Sequence, residues 1–73
     1  MKTLKDLNLL QSAQVKTLNG ESVLQERLWD MGIRPGVQVK PLQKIAFGGV
    51  LVEAAQGFFA LRSDELSCVE VMG

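Results

Sequence analysis

Histidine is absent from this chain of 73 residues, and cysteine occurs once, as Cys68. Without histidine there is no Ser-His-Asp or Cys-His nucleophile system and no imidazole ligand for a metal. One cysteine cannot form an internal disulfide or a thiolate cage, and its rarity favours a reducing compartment. The sequence therefore argues against an enzyme, and we expect no catalytic residues, no bound cofactor and no metal site.

An excess of charge is also missing, because eight Lys and Arg residues balance eight Asp and Glu residues. Nucleic-acid binding and adsorption on anionic membranes both rely on a basic excess. No apolar run approaches the ~20 residues of a transmembrane helix, and residues 1–6 lack the apolar block of a signal peptide. We expect a cytoplasmic protein that neither binds nucleic acid nor inserts into a membrane.

The amino-acid composition of the chain is typical of one small folded domain, which we expect to span residues 1–73. Hydrophobic residues make up 47% of the chain and charged residues 22%, which is typical of a globular protein. A domain of this size buries only about 60% of the surface that its unfolded chain exposes, so its core is small. We expect a monomer with a binding or regulatory role.

Residues 22–31 carry the clearest helical pattern. Ser22 and Gln25 have the spacing of a capping box. Apolar residues follow at positions i, i+4 and i+7, which form one stripe of a helix: Leu24, Leu28 and Met31. Gly32 then provides the left-handed residue that ends a helix, and Ile33 is placed for the apolar contact that accompanies such an ending.

Short segments in which apolar and polar residues alternate predict about five strands around this helix. The segments are residues 13–18, 37–45, 50–55, 58–62 and 69–71. Pro41 interrupts the second segment and marks an edge or a bulge. A helical turn is expected at residues 4–7, and a 3₁₀ turn at residues 63–66 with Ser63 at its cap. So few residues bury most apolar surface as a small closed barrel, which predicts a mainly β, SH3-like fold.

Two sequence blocks resemble those of a known family. Residues 27–36 read RLWDMGIRPG and resemble the RLLEMGLTPG signature of the FeoA (ferrous iron transport protein A) domain. Residues 60–66 read ALRSDEL and, with the later VEV at 69–71, resemble the ALRKEEA…IEV ending of that family. The chain departs from the family at Leu10, where a glycine is usual, and at residues 46–50, which lack the two prolines of the usual hairpin.

The resemblance implies an SH3-like barrel that works beside the membrane ferrous iron transporter FeoB. In that case the chain is a small cytoplasmic accessory protein that docks on the transporter's GTP-binding part, and Fe²⁺ is the ion that the partner transports. The domain also resembles the C-terminal module of iron-dependent repressors. A metal- or peptide-sensing regulatory module is therefore the alternative function.

We expect the partner surface to consist of exposed apolar residues at turn tips, because a neutral domain lacks long-range electrostatic steering. The candidates are Trp29, Ile33, Arg34, Phe47 and Phe58. Phe58 and Phe59 are adjacent in a predicted strand, so one of them faces outward and the other faces the core. The competing interpretation is that these aromatic residues complete the core.

The shortage of nitrogen and sulfur ligands gives a first testable prediction. Borderline metals such as Fe²⁺ and Zn²⁺ favour such ligands, so calorimetric titration at neutral pH should show only weak binding of either ion. A stoichiometric isotherm with a sub-micromolar Kd for the monomer would show that carboxylates or backbone groups of this chain form a tight site.

Overall fold

The computed structural model describes residues 1–73 and contains five strands and two α-helices. In chain order they are β1 Ala13–Leu18, α1 Ser22–Asp30, β2 Gln38–Lys44, β3 Val50–Ala54, β4 Gly57–Leu61, α2 Ser63–Cys68 and β5 Val69–Val71. Short 3₁₀ turns at Leu4–Asp6 and Ala46–Gly48 complete the structure. The predicted mainly β architecture and the predicted strand positions are confirmed.

The strands form one antiparallel sheet in the order β4-β3-β2-β1-β5. The two edge strands, β4 and β5, do not pair with each other, and α2 connects them along the chain. The sheet and the helices enclose one apolar core to which every strand and both helices contribute, through residues such as Val15, Leu28, Val39, Val52, Leu61, Leu66 and Val69. No helix is long and apolar enough to cross a membrane.

Pro41 lies at a bulge in the middle of the sheet. The register between β2 and β3 shifts between Pro41 and Gln43, and β2 is an interior strand. Proline has no backbone N–H to donate, so an interior strand accommodates it where the ladder is already irregular. Of the two readings of Pro41, edge or bulge, the structure shows the bulge.

Helix α1 begins without the predicted capping box. Glu21, with an extended backbone, occupies the N-cap position, and Ser22 is already the first helical residue, so the Ser22 hydroxyl is not placed to cap. The Gln25 backbone N–H bonds to the Glu21 carbonyl, and its side-chain amide donates to the Gly20 carbonyl at 2.8 Å. That side-chain contact ties the helix to the preceding turn in place of the predicted reciprocal cap.

The end of α1 has the predicted geometry. Gly32 has a φ of +82°, and its N–H donates to the Trp29 carbonyl at 3.0 Å. The Ile33 N–H donates to the Leu28 carbonyl at 2.9 Å, which completes a Schellman motif. Ile33 and Leu28 are both 0% exposed and belong to the core. The motif therefore folds the chain back over the helix and buries the residue that follows the glycine.

The segment after β4 differs from the predicted 3₁₀ turn at residues 63–66. It is a six-residue α-helix, α2, and Arg62 rather than Ser63 occupies its N-cap position. The Glu65 carboxylate accepts a hydrogen bond from the Arg62 backbone N–H at 2.8 Å, and its other oxygen lies 3.3 Å from the Arg27 guanidinium. These contacts fix the first turn, and the burial of Leu66 and Cys68 favours its continuation as an α-helix.

The left-handed backbone of Gly32 generates a stability prediction. Gly32→Ala should lower the free energy of unfolding by about 1 kcal/mol or more, because an L side chain is strained at this φ. An added Cβ would also lie 3.0 Å from side-chain carbons of Gln56. Urea denaturation measures the loss.

Gly36→Ala is the matched control, since Gly36 has a φ of +92° but no atom within 4 Å of an added Cβ. Because this substitution adds backbone strain without a steric contact, it should lower the free energy of unfolding by less than Gly32→Ala does. An unchanged urea midpoint for Gly32→Ala would contradict the role of the Schellman motif.

Candidate functional site

The turn between β2 and β3 holds an aromatic side chain fully in solvent. Phe47 is completely exposed and has φ 60° and ψ 36°, a left-handed conformation that costs on the order of 1–2 kcal/mol in an L residue. The turn is closed by the Ile45 N–H, which donates to the Gly49 carbonyl at 3.0 Å. The fold therefore maintains an exposed Phe47 in a strained turn.

Gly49 keeps this turn close to the sheet. An added Cβ there would lie 2.9 Å from a side-chain carbon of Ile45 and 3.2 Å from the Leu61 carbonyl oxygen, so any side chain would force Ile45 or the turn to shift. Val50, the next residue, pairs with Leu61 across the β3–β4 ladder. The base of the turn is thus packed against the end of β4, while its tip carries Phe47 outward.

A groove of about 680 Å³ lies between this turn and the junction of β4 with α2. Ile45 and Phe47 line it on the turn side, and Ala60, Arg62 and Asp64 line it on the other. We call it the Phe47 groove. Arg62 and Asp64 are exposed, and neither takes part in an ion pair. The groove therefore combines an apolar floor with one free charge of each sign.

Strand β4 gives the Phe47 groove a free backbone edge. It is the outermost strand of the sheet and pairs with β3 on one side only. The polar backbone groups on the open side of an edge strand are a template for an extended segment of another chain. The site is therefore suited to bind an extended peptide segment that places apolar side chains in the groove.

Phe58 lies on the same strand, nearer the β3–β4 turn. It is 62% exposed, whereas Phe59 is partly buried and packs against the core, so the predicted opposite orientation of the two rings is confirmed. Alternate strand residues share a face, so Phe58 and Ala60 both point outward, about 7 Å apart along the strand. Phe58 thus extends the apolar surface that begins in the Phe47 groove.

Trp29 and Arg34 form a separate pair at the end of α1, in which Trp29 is exposed and Arg34 is partly buried. The Arg34 guanidinium carbon lies 5.0 Å from the centre of the Trp29 ring, and Arg34 Nε donates to the Trp29 carbonyl at 3.0 Å. The Schellman motif brings the two together by reversing the chain after the helix. Trp29 is 49% exposed, and neither residue lines the Phe47 groove.

The prediction that Ile33 is exposed is wrong. Ile33 is fully buried because its N–H bonds to Leu28 and its side chain packs into the core below the helix end. The structure also places Ile45, Ala60 and Arg62, which were not among the predicted residues, on the candidate surface. Nothing local in the sequence marks those three, because the β3–β4 pairing is what places them together.

Acidic and sulfur-containing side chains approach each other around α2. Burial raises the pKa of the Cys68 thiol, and the nearby carboxylates of Asp64, Glu65 and Glu21 raise it further. The thiol is therefore protonated at neutral pH and packs as a small apolar group. No group of three or more His, Cys, Asp or Glu residues is placed to hold a metal ion.

Comparison with known proteins identifies the family to which this sequence is related. The model of the FeoA domain family matches residues 2–72. No curated protein matches the sequence significantly.

Several solved structures have the same fold. FeoA from Stenotrophomonas maltophilia, a prokaryotic SH3 domain protein determined in complex with zinc, is 31% identical with a TM-score of 0.84, covering 99% of this chain and 91% of that one. FeoA from Chlorobium tepidum is 24% identical with a TM-score of 0.85, covering 94% and 67%. A manganese-dependent transcriptional repressor has a TM-score of 0.88 over 97% of this chain and 40% of that one, but is only 15% identical. The SH3-like fold is thereby confirmed.

The stacked pair at the end of α1 gives a spectroscopic prediction. Arg34→Ala should make Trp29, the single tryptophan, easier to quench with acrylamide, because the guanidinium no longer covers one ring face. The free energy of unfolding should fall by about 0.5–1 kcal/mol, the usual scale of an exposed cation–π contact. Arg62→Ala, which removes an exposed arginine of the Phe47 groove, is the control, and equal quenching of all three proteins would contradict the stacked arrangement.

Proposed function

This chain belongs to the FeoA domain family of ferrous iron transport, and from that membership we propose that it is a small cytoplasmic accessory protein that docks on the GTP-binding cytoplasmic part of an FeoB-type transporter. Fe²⁺ is then the ion that the partner moves. The role requires binding of the partner and no catalytic step by this chain.

The exposed, strained Phe47 is the observation that carries the proposal. A folded monomer gains nothing from a phenylalanine that is both fully exposed and left-handed. Residues in sparsely populated conformations tend to lie at functional sites, where the surrounding structure maintains them. Buried aromatic anchors also dominate the energetics of many protein interfaces. Insertion of the Phe47 ring into a pocket of the partner would account for both features.

The surroundings of Phe47 support docking by an extended segment of the transporter. The open edge of β4 offers backbone hydrogen bonds, and the Phe47 groove offers an apolar cleft beside that edge. Arg62 and Asp64 at the rim favour a segment with complementary charges at two positions, which fixes its direction. Phe58 continues the contact surface toward the β3–β4 turn.

Trp29 and Arg34 belong to the proposal as a second contact region. Their stacked pair lies at the end of α1 and not in the Phe47 groove, so a large partner domain would have to span both. Ile33 is left out of the proposed surface, because it is fully buried.

The alternative role, a metal- or peptide-sensing module, has the weaker support. The repressor that shares this fold is 15% identical, a level at which the likeness concerns the fold alone. FeoA from Stenotrophomonas maltophilia was determined in complex with zinc, and that observation concerns the Stenotrophomonas protein alone. Titration with Fe²⁺ or Zn²⁺ separates a metal-sensing role from a docking role.

Docking through the Phe47 groove predicts the behaviour of one variant. Phe47→Asn should weaken binding to the isolated cytoplasmic domain of the transporter by about 5- to 150-fold, which corresponds to the 1–3 kcal/mol typical of an aromatic anchor. Asparagine tolerates the left-handed backbone, so thermal melting should show an unchanged or slightly raised Tm. Biolayer interferometry measures the affinity.

Leu10→Asn is the matched control, because Leu10 is also exposed and has a φ of 69°, but it does not line the Phe47 groove. Its affinity should equal that of the unmodified chain. The proposal is contradicted if Phe47→Asn binds normally, or if both variants lose the same affinity.

A further inference from the structure

A second cavity, of about 290 Å³, lies on the other side of the Phe47 turn. It is enclosed by the N-terminal 3₁₀ turn and the residues after it, by β2 and the start of β3, and by α2, with Leu4, Leu9, Pro41, Val50 and Leu66 among its lining residues. We propose that this cavity binds a small aliphatic carboxylate, with the tail against the leucines and the carboxylate between Lys5 and Lys44. The inference is independent of docking through the Phe47 groove.

The charge around the cavity is one-sided. Lys5 and Lys44 both line it, and neither lies within ion-pair distance of a carboxylate. No acidic residue lines the cavity, whereas each of the other three concave regions of the surface contains one, namely Glu53, Asp64 or Glu26. A neutral chain thus presents local positive charge at this cavity, and an anion complements it.

The apolar residues that line the cavity would contact the aliphatic tail of the ligand. Leu4 and Leu66 are each 2% exposed, so their side chains are fixed in the core, while Leu9 is 43% exposed and lies nearer the surface. Ligand sites are mostly apolar with a few placed polar groups, and this cavity has that pattern. A volume of 290 Å³ holds about ten atoms of the size of a water molecule, so a short aliphatic acid such as hexanoate fits.

Backbone strain is concentrated beside the same cavity. Leu10 and Phe47 are the two non-glycine residues with positive φ, and they adjoin the lining residues Leu9 and Gly48. The Leu10 N–H donates to the carbonyl of Pro41, another lining residue, at 2.6 Å. The hydrogen bond from Leu10 therefore ties the residues after the N-terminal 3₁₀ turn to β2 beside the cavity, and a fixed backbone there favours a preformed site.

The test is a titration of the ¹⁵N-labelled chain with sodium hexanoate, followed by amide chemical shifts. Saturable shifts are expected at Leu4, Leu9, Lys44 and Gly48, with a Kd on the order of 1 mM, a weak affinity within the bound for so small a ligand. Hexanol, which has the same tail without the charge, and acetate, which has the charge without the tail, should each bind about tenfold or more weakly than hexanoate.

Lysine variants test the anion contact. Lys5→Gln and Lys44→Gln should each lower the affinity for hexanoate by about three- to fivefold, which is the scale of a solvent-exposed ion pair. Lys16→Gln is the matched control, because Lys16 is exposed but pairs with Glu70 and lies outside the cavity. Its affinity for hexanoate should be unchanged.

Three results would overturn the proposal. The first is the absence of saturable shifts up to about 10 mM hexanoate, roughly ten times the expected Kd. The second is equal binding of hexanol, which would show that charge plays no part. The third is an equal effect of all three lysine substitutions, which would indicate screening of the whole surface rather than a site.

Discussion

The buried carboxylate of Glu65 is the contact on which the geometry of the candidate surface depends. The residue is 2% exposed, and its two oxygens approach the Arg62 backbone N–H and the Arg27 guanidinium. A buried carboxylate is costly unless it is paired, so these contacts fix the start of α2 relative to α1. Because α2 follows the edge strand β4 directly, Glu65 also fixes Arg62 and Asp64, which form one side of the Phe47 groove.

The other side of the groove depends on a steric constraint. Gly49 leaves room for Ile45 and for the Leu61 carbonyl, so the turn that carries Phe47 packs onto the end of β4. Between these two fixed sides the sheet leaves an unpaired strand edge. A small domain with no net charge and few residues thereby obtains a preformed candidate surface, and preformed surfaces lose little conformational entropy on binding.

The sequence predicts local features well and long-range features poorly. The left-handed Gly32 and the bulge at Pro41 follow from the conformational limits of single residues, and the structure contains both. The 3₁₀ turn at residues 63–66 was mispredicted, because the Glu65–Arg27 contact that helps to make it an α-helix joins residues far apart in the chain. Ile33 is different, because the cause is local: the Schellman motif that the sequence predicts folds this residue into the core, which rules out the exposure expected from its position beside a turn. The Phe47 groove exists only once β3 and β4 pair.

Hydrogen–deuterium exchange of the chain, with and without the transporter's cytoplasmic domain, tests the central claim most directly. Docking along the edge of β4 predicts slower exchange in residues 45–49 and 57–62, because a bound segment would pair with the open strand edge and cover the turn. Unchanged exchange in both segments, with protection confined to the end of α1 around Trp29 and Arg34, would contradict it.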